Sequence, residues 1–255
     1  MIDAHLHIDQ YGNDLPIALE QIRTHSICSL AVSMDIPSYH ETVKIAKSVP
    51  LILPSFGIHP WNAPEYMTRL DEIDEHMKSA PAIGEIGLDH RFVENETKYP
   101  AQEEVFRYQL DTAEDLGKLV NLHTSGAEEL ILEHLKTSSP PAIIIHWYNG
   151  PIELVNDFLD LGAYFTIGVE VFQSQKIRSL ASMLPVDRIL TETDNPNGWE
   201  WLNGEPGFPN LVKNVESEIA EIRNLSRPNF SEIVTSNFYT LLFAGNLSEF
   251  CSISS

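Results

Sequence analysis

Short, apolar, β-rich runs alternate with longer amphipathic stretches along most of this chain, about eight times, and that alternation restricts the fold most. The predicted strands are Ile2–Ile8, Ile27–Met34, Leu51–Ile58, Ala82–Leu88, Leu119–His123, Ala142–His146, Ala163–Val169 and Arg188–Thr193. Helix-like segments lie between them, including Ala101–Leu116, Glu128–Leu135 and Ile152–Leu161. Phe106, Leu110, Ala113 and Leu116 keep the i, i+3, i+4 spacing of one helical face. Gly117, Gly162 and Pro185 punctuate helix ends. Strand–helix units repeated in this way close as a parallel α/β barrel of the (β/α)8 TIM type. The 255 residues suit a single such domain over 1–255, since one barrel takes roughly 250 residues. Two closing helices are expected between about Phe208 and Leu242, with Gly245–Ser255 fraying.

The polar residues that interrupt these apolar strands fall in a pattern. His5 and His7 end the first strand one residue apart, and side chains at i and i+2 share a face. Glu85 sits within Gly84-Glu85-Ile86-Gly87-Leu88-Asp89, His123 ends the fifth strand, His146 the sixth, and Asp194 follows the eighth. All lie at or near carboxyl ends of five predicted strands, the face on which barrel active sites are built. A lone histidine at a strand end is ordinarily structural, and a lone carboxylate is ordinarily a cap or a loop charge. Four imidazoles and two carboxylates together instead suit two divalent metal ions, with Zn, Mg or Mn as candidates. His25, His40, His76, His90 and His134 fall in helices or loops and read as surface residues.

Charge limits the partners. Sixteen Lys and Arg against 37 Asp and Glu give a net charge of −21, which repels polyanions at long range and argues against non-specific nucleic-acid binding. It does not oppose chemistry on a phosphate at a metal centre. No apolar run approaches the roughly 20 residues of a membrane span, and the opening residues carry no leader-like pattern. Cys28 and Cys251 do not make a disulfide framework, so a reducing, cytoplasmic location is expected.

Read in order, Asp3-Ala4-His5-Leu6-His7, Gly57-Ile58-His59-Pro60, Gly84-Glu85-Ile86-Gly87-Leu88-Asp89, His123, His146-Trp147 and Glu192-Thr193-Asp194-Asn195-Pro196 resemble the TatD family of metal-dependent deoxyribonucleases, within the amidohydrolase-like barrels. The resemblance runs from Ile2 to about Phe243. It implies that His5, His7 and Asp194 hold one ion, that Glu85, His123 and His146 hold a second, and that Glu85 bridges. Two ions side by side can activate water and stabilise charge on a phosphoryl oxygen. Asp194, and with it Glu85 and His59, would be the catalytic groups, Asp194 as general base. His59 would lie beside the substrate phosphate, and Glu192 and Asp89 would orient neighbouring groups. A 3′-to-5′ exonuclease-like activity on DNA is the implied reaction.

Two departures from the family bear on substrate. Ser125 stands where the family usually carries arginine, and the loop Asn197–Pro206 holds no lysine or arginine. Arg91 and Lys98 are the nearest basic substitutes; a wider patch would have to draw on Lys44, Lys47 and Lys176. Trp147, Tyr148, Trp199, Trp201 and Phe208 predict an aromatic rim that packs as a lid, stacks bases or meets a protein partner. Trp147, Trp199, Arg91 and His59 are the substrate-binding candidates. Two other readings stand beside the nuclease: a hydrolase of a small-molecule or aminoacyl-tRNA ester or amide, and a subunit whose partner protein supplies nucleic-acid affinity.

Overall fold

Eight parallel strands follow one another around a single sheet in chain order, each hydrogen-bonded to the next. The computed structural model describes residues 1–251. The strands are β1 (Ile2–Leu6), β2 (Cys28–Ala31), β3 (Ile52–Phe56), β4 (Ala82–Gly87), β5 (Leu119–His123), β6 (Ala142–Ile145), β7 (Tyr164–Ile167) and β8 (Ile189–Thr191). Nearly every strand residue is buried, as expected where helices cover the outer face of a parallel sheet and side chains fill its interior. This is the (β/α)8 barrel expected from the sequence.

The first and last strands meet through side chains and, at their carboxyl ends, two backbone bonds, one of them from His7 N to Asn195 O at 3.0 Å. Thr191 Oγ1 donates to Ile2 O at 2.6 Å, and Thr193 N and Oγ1 donate to the Asp3 carboxylate at 2.9 and 2.7 Å. Asp194 N then donates to His5 O at 3.0 Å. Asp3, an acid inside an apolar strand, is therefore part of the barrel's closure.

Strands end earlier than the apolar runs suggest where a cap starts the next helix. The run Ile27–Met34 yields only β2, because Asp35 accepts Ser38 N at 2.8 Å and opens the helix Ile36–Ala46. The two closing helices are Val212–Ile222 and Arg227–Ala244. Phe230, Val234, Phe238 and Leu242 of the latter are fully buried, each such side chain contributing about 1.5–3 kcal/mol of burial. The tail departs from the expected fraying: Leu247 N bonds to Leu242 O, and Ser248–Cys251 is helical. Residues 252–255 of that expectation lie outside the described residues. Among the described residues no helix is long and apolar enough to cross a membrane.

Candidate metal centre

The polar residues of the strand ends meet around Glu85. Its Oε2 lies 3.4 Å from His5 Nε2 and 3.5 Å from His7 Nε2. Its Oε1 lies 2.8 Å from His123 Nδ1, 3.3 Å from His146 Nε2 and 3.4 Å from His59 Nε2. Asp194 Oδ1 joins the first group, 3.5 Å from His5 Nε2 and 3.3 Å from His7 Nε2. One carboxylate thus shows a different oxygen to each of two nests of imidazole nitrogen. Backbones crowd around it: a Cβ on Gly57 would lie 2.3 Å from Glu85 O, and one on Gly87 would lie 1.9 Å from His123 O. Only glycine admits that approach, which is why glycines punctuate both motifs.

The outer nitrogen of each ring decides which atom faces inward. His5 Nδ1 pairs with Asn121 Oδ1 at 2.9 Å, and Asn121 Nδ2 in turn donates to Ala4 O. His146 Nδ1 pairs with Glu192 Oε2 at 3.1 Å, and His123 Nε2 with Asp89 Oδ2 at 3.2 Å. These acceptors take one ring N–H, so that in the deprotonated rings the lone pairs of His5 Nε2, His146 Nε2 and His123 Nδ1 face Glu85. His59 is wired the other way. Its Nδ1 accepts Trp61 N at 3.2 Å, which directs Nε2 toward Glu85. Nε2 of His59 also lies within ligating reach of Glu85 and His123.

The residues fit divalent metal. His5 Nε2 is buried without a hydrogen-bond partner and faces carboxylate oxygens of Glu85 and Asp194, an arrangement that a cation between them would satisfy. Burial alone would raise the Glu85 carboxyl, but His59, His5, His146 and the His123 hydrogen bond hold it well below its ordinary range. Burial likewise opposes charge on His123 and His146. Hydrogen bonds that His123 donates to Asp89 and Glu85 nevertheless hold it at about 9, and the charges of Glu192 and Glu85 hold His146 well above its ordinary value. Protons thus stand where metal ions would. Imidazole nitrogen with carboxylate oxygen is a donor set suited to zinc and to harder divalent ions. Glu192 also falls within ligating reach of His5 and His146. Its Oε2 is engaged by His146 and its Oε1 by Trp147 N at 3.1 Å, so it anchors rather than ligates.

Residues 2–243 match the sequence model of the family described as TatD related DNase. The chain belongs to the TatD-related DNase family. It is 27% identical over 247 residues to the "Uncharacterized metal-dependent hydrolase YabD" of Bacillus subtilis, covering 92% of this chain and 94% of that protein. It is 27% identical over 259 residues to the "Uncharacterized metal-dependent hydrolase YcfH" of Escherichia coli K12, covering 94% and 95%. The crystal structure of YjjV, a TatD homologue from E. coli K12, superposes with a TM-score of 0.86 at 22% identity over 94% of this chain and 97% of that one.

Above the TatD-type floor opens a cavity of about 370 Å³. His123, His146 and Asp194 line its base, and Trp61, Arg91, Phe92, Trp147, Asn149 and Trp201 line its sides. Of the expected aromatic rim, Trp147 and Trp201 are at the cavity. Trp199 packs edge-on against Phe172 and does not line it, because the segment expected as a loop is the short helix Asn197–Asn203, which turns successive side chains apart. Tyr148 is buried against Phe158 and Phe165, and Phe208 packs against Tyr11. Arg91 lines the cavity; Lys98 does not. Lys44 pairs with Glu41 along its own helix.

Several participants were not singled out from sequence. Trp61 Nε1 donates to Asp89 Oδ2 at 2.6 Å, and Trp147 Nε1 to Glu170 Oε2 at 2.6 Å, so both rings are pinned at the mouth. Asn121 had a readable signal, a polar residue within the apolar run Leu119–Leu122 on the face of His123. Trp61, Phe92 and Glu170 lie past strand ends, where periodicity says nothing. A larger hollow of about 960 Å³ beside Met1, His25 and the last long helix shares no residue with the metal centre.

Proposed function

We propose that this chain is a divalent-metal-dependent phosphodiesterase that removes nucleotides from the 3′ end of DNA. The two-faced Glu85, with each oxygen against its own set of imidazole lone pairs, carries this reading. His5, His7 and Asp194 would hold one ion, and His123 and His146 the other, with Glu85 between. Two divalent ions, when bound, supply a nucleophilic water at neutral pH and neutralise charge on a phosphoryl oxygen. Asp194, held ionised against burial chiefly by its hydrogen bond with His7, would accept the proton of the attacking water. His59, kept neutral by burial, would carry its proton on Nε2 and donate to a phosphoryl oxygen. With a substrate seated, Trp61 and Trp147 at the mouth would shield it from bulk water and Arg91 would meet its backbone, strengthening the charge–charge contacts inside. The family description supports a nuclease.

The test is incubation with 5′-labelled single-stranded DNA, duplex DNA, RNA and generic carboxylic esters, with Mg, Mn or Zn. The expected result is stepwise shortening of DNA from the 3′ end that stops in chelator. A second reading is a hydrolase of small-molecule or aminoacyl-tRNA esters. The cavity volume of about 370 Å³ and the uncharged Ser125 on its wall favour it, since this size suits a small ligand. Metal-dependent ester cleavage with intact oligonucleotides would select it.

A further inference from the structure

The phosphodiesterase reading leaves one question that the acidic exterior sharpens: what holds the nucleic-acid backbone where the family's arginine is replaced by Ser125. Two cations converge at the cavity wall. Arg91 Nη2 donates to the carbonyl oxygen of Asn149 at 3.1 Å, and Lys176 Nζ donates to that same oxygen at 2.8 Å. Arg91 comes from the loop after β4 and Lys176 from the helix Gln175–Met183 after β7, so distant parts of the chain bring them together. Lys44, Arg69, Lys78 and Arg107 each pair with a carboxylate three or four residues away, whereas Arg91 and Lys176 meet from different parts of the chain on one carbonyl oxygen. No ion pair involves Arg91 or Lys176 among the described residues, in a chain with 37 acidic residues.

The scaffold behind them is held. Glu170 accepts Trp147 Nε1 at 2.6 Å and Asn149 Nδ2 at 3.3 Å, and Tyr148 donates its hydroxyl to Pro151 O at 2.5 Å. Asp89 Oδ1 accepts Arg91 N at 3.0 Å while its other oxygen pairs with His123. The cationic pair is thus tied through Asp89 to a metal-centre histidine. Asn149 and Arg91 line the cavity that has His123, His146 and Asp194 at its base. Two like charges on one neutral oxygen repel, and a phosphate bridging them, with several acceptor oxygens, relieves that repulsion.

We propose that Arg91 and Lys176, gathered on the Asn149 carbonyl, form a phosphate subsite that takes the backbone phosphate next to the one being cleaved. This rests on the phosphodiesterase reading and names how the substrate is gripped. The subsite rewards a strand with a phosphate on the 5′ side of the scissile one, so a dinucleotide with a 5′-phosphate is preferred over one without.

The experiment is equilibrium binding to the metal-loaded chain of two dithymidines with an uncleavable phosphonate linkage, one with and one without a 5′-phosphate. Binding is read by tryptophan fluorescence, and hydrolysis of the natural dinucleotides is read separately. The wild-type chain should prefer the phosphorylated form about tenfold, the scale of one charge-assisted contact. Lys176→Met should reduce the preference to about twofold or less, and Lys176→Arg should restore it. Lys176→Met should also flatten the salt slope by about 0.7, the value of one single-strand phosphate contact. Equal wild-type affinity for the two ligands, or equal weakening of both by Lys176→Met, overturns the subsite. So does competition by inorganic phosphate as effective as that by the 5′-phosphorylated ligand. Failure to hydrolyse the natural dinucleotides, with the binding preference intact, would remove the phosphodiesterase reading and leave the subsite standing.

Discussion

At the floor of the cavity the imidazole rings that would hold metal are anchored from behind: His5 by Asn121, His123 by Asp89 and His146 by Glu192. At the rim, Trp201 is 65% exposed and its ring packs edge-on against those of Phe92 and Trp147, at 6.0 Å each. The floor stands on strand ends of the barrel, and the rim stands on connecting loops and a short helix. The difference separates two tasks. Chemistry needs donors fixed to fractions of an ångström, which strands and anchored rings supply. Substrate choice needs surfaces that change without disturbing the floor, which connecting segments supply.

The comparison breaks most sharply at its centre. Glu85→Gln should remove metal from both nests, and activity should fall by more than the about 10²–10⁴-fold that loss of a positioned base costs. Elemental analysis of the remetallated variant, with activity on oligonucleotides, checks this; one ion retained at full occupancy would show that Glu85 does not bridge. Asp194→Asn should fall within that about 10²–10⁴-fold range or below it, with substrate affinity much less changed. One layer out, Asp89→Asn and Glu192→Gln should each cost about 10–100-fold in metal affinity or activity. Titration with a competing chelator reads this directly, and wild-type affinity in both would mean that the outer anchors are passive.

Acidity offers a test confined to the floor. His123, held at about 9 rather than 6.5 in the metal-free chain, contributes stability that is full below about 6.5 and is lost as pH rises through about 9. Metal requires the unprotonated ring. Melting temperatures with chelator should therefore fall between pH 6.5 and 9, while the gain from added zinc should grow over that interval. A metal-induced shift of equal size at both ends would contradict it. At the rim, base–aromatic stacking is worth about 1–3 kcal/mol, so Trp201→Ala should raise KM about tenfold without loss of metal. Trp199→Ala should spare KM, since that ring faces Phe172. The smallest effects belong outside the pocket. His25, His40, His76 and His134 changed singly to alanine should leave metal content and activity within about twofold, as substitutions away from such features generally do. That includes His40 and His76, whose Nε2 atoms pair with each other at 3.0 Å on two outer helices.

What could be read from the chain follows the same division. The barrel was legible because its strands are apolar runs of fixed length, and His5, His7, Glu85, His123, His146 and Asp194 were conspicuous as polar breaks in them. Burial made those breaks informative: a polar side chain in a dry strand needs a partner or a ligand. Trp199 and Trp201 could not be told apart, because the helix Asn197–Asn203 is too short to show a period. Asn121 carries the same kind of signal, a polar break on the face of His123, whereas Glu170 is hidden by its distance in sequence from the tryptophan it pins. The convergence of Arg91 and Lys176 on Asn149 depends on a loop meeting the start of a helix, which no local pattern records.

The seam between β1 and β8 gives the metal centre a second significance. Among the described residues no extended ladder binds these strands; a threonine–aspartate clasp, the Thr191 hydroxyl on Ile2 O, and the bonds from Asp194 N to His5 O and His7 N to Asn195 O hold them. His5 and His7 stand on one lip of that seam and Asp194 on the other. An ion held by all three would cross-link positions almost the full circumference of the barrel apart in sequence. Closing so long a loop is entropically expensive for a bare chain, and a ligated ion would act as a rivet through the joint. The chain cannot complete this rivet until its eighth strand has been synthesised, so metal uptake would report that the ring has closed. Chelation would then spring the barrel at this one joint, and amide exchange should accelerate along Ile2–Leu6 and Ile189–Thr191 before it does in β4 or β5.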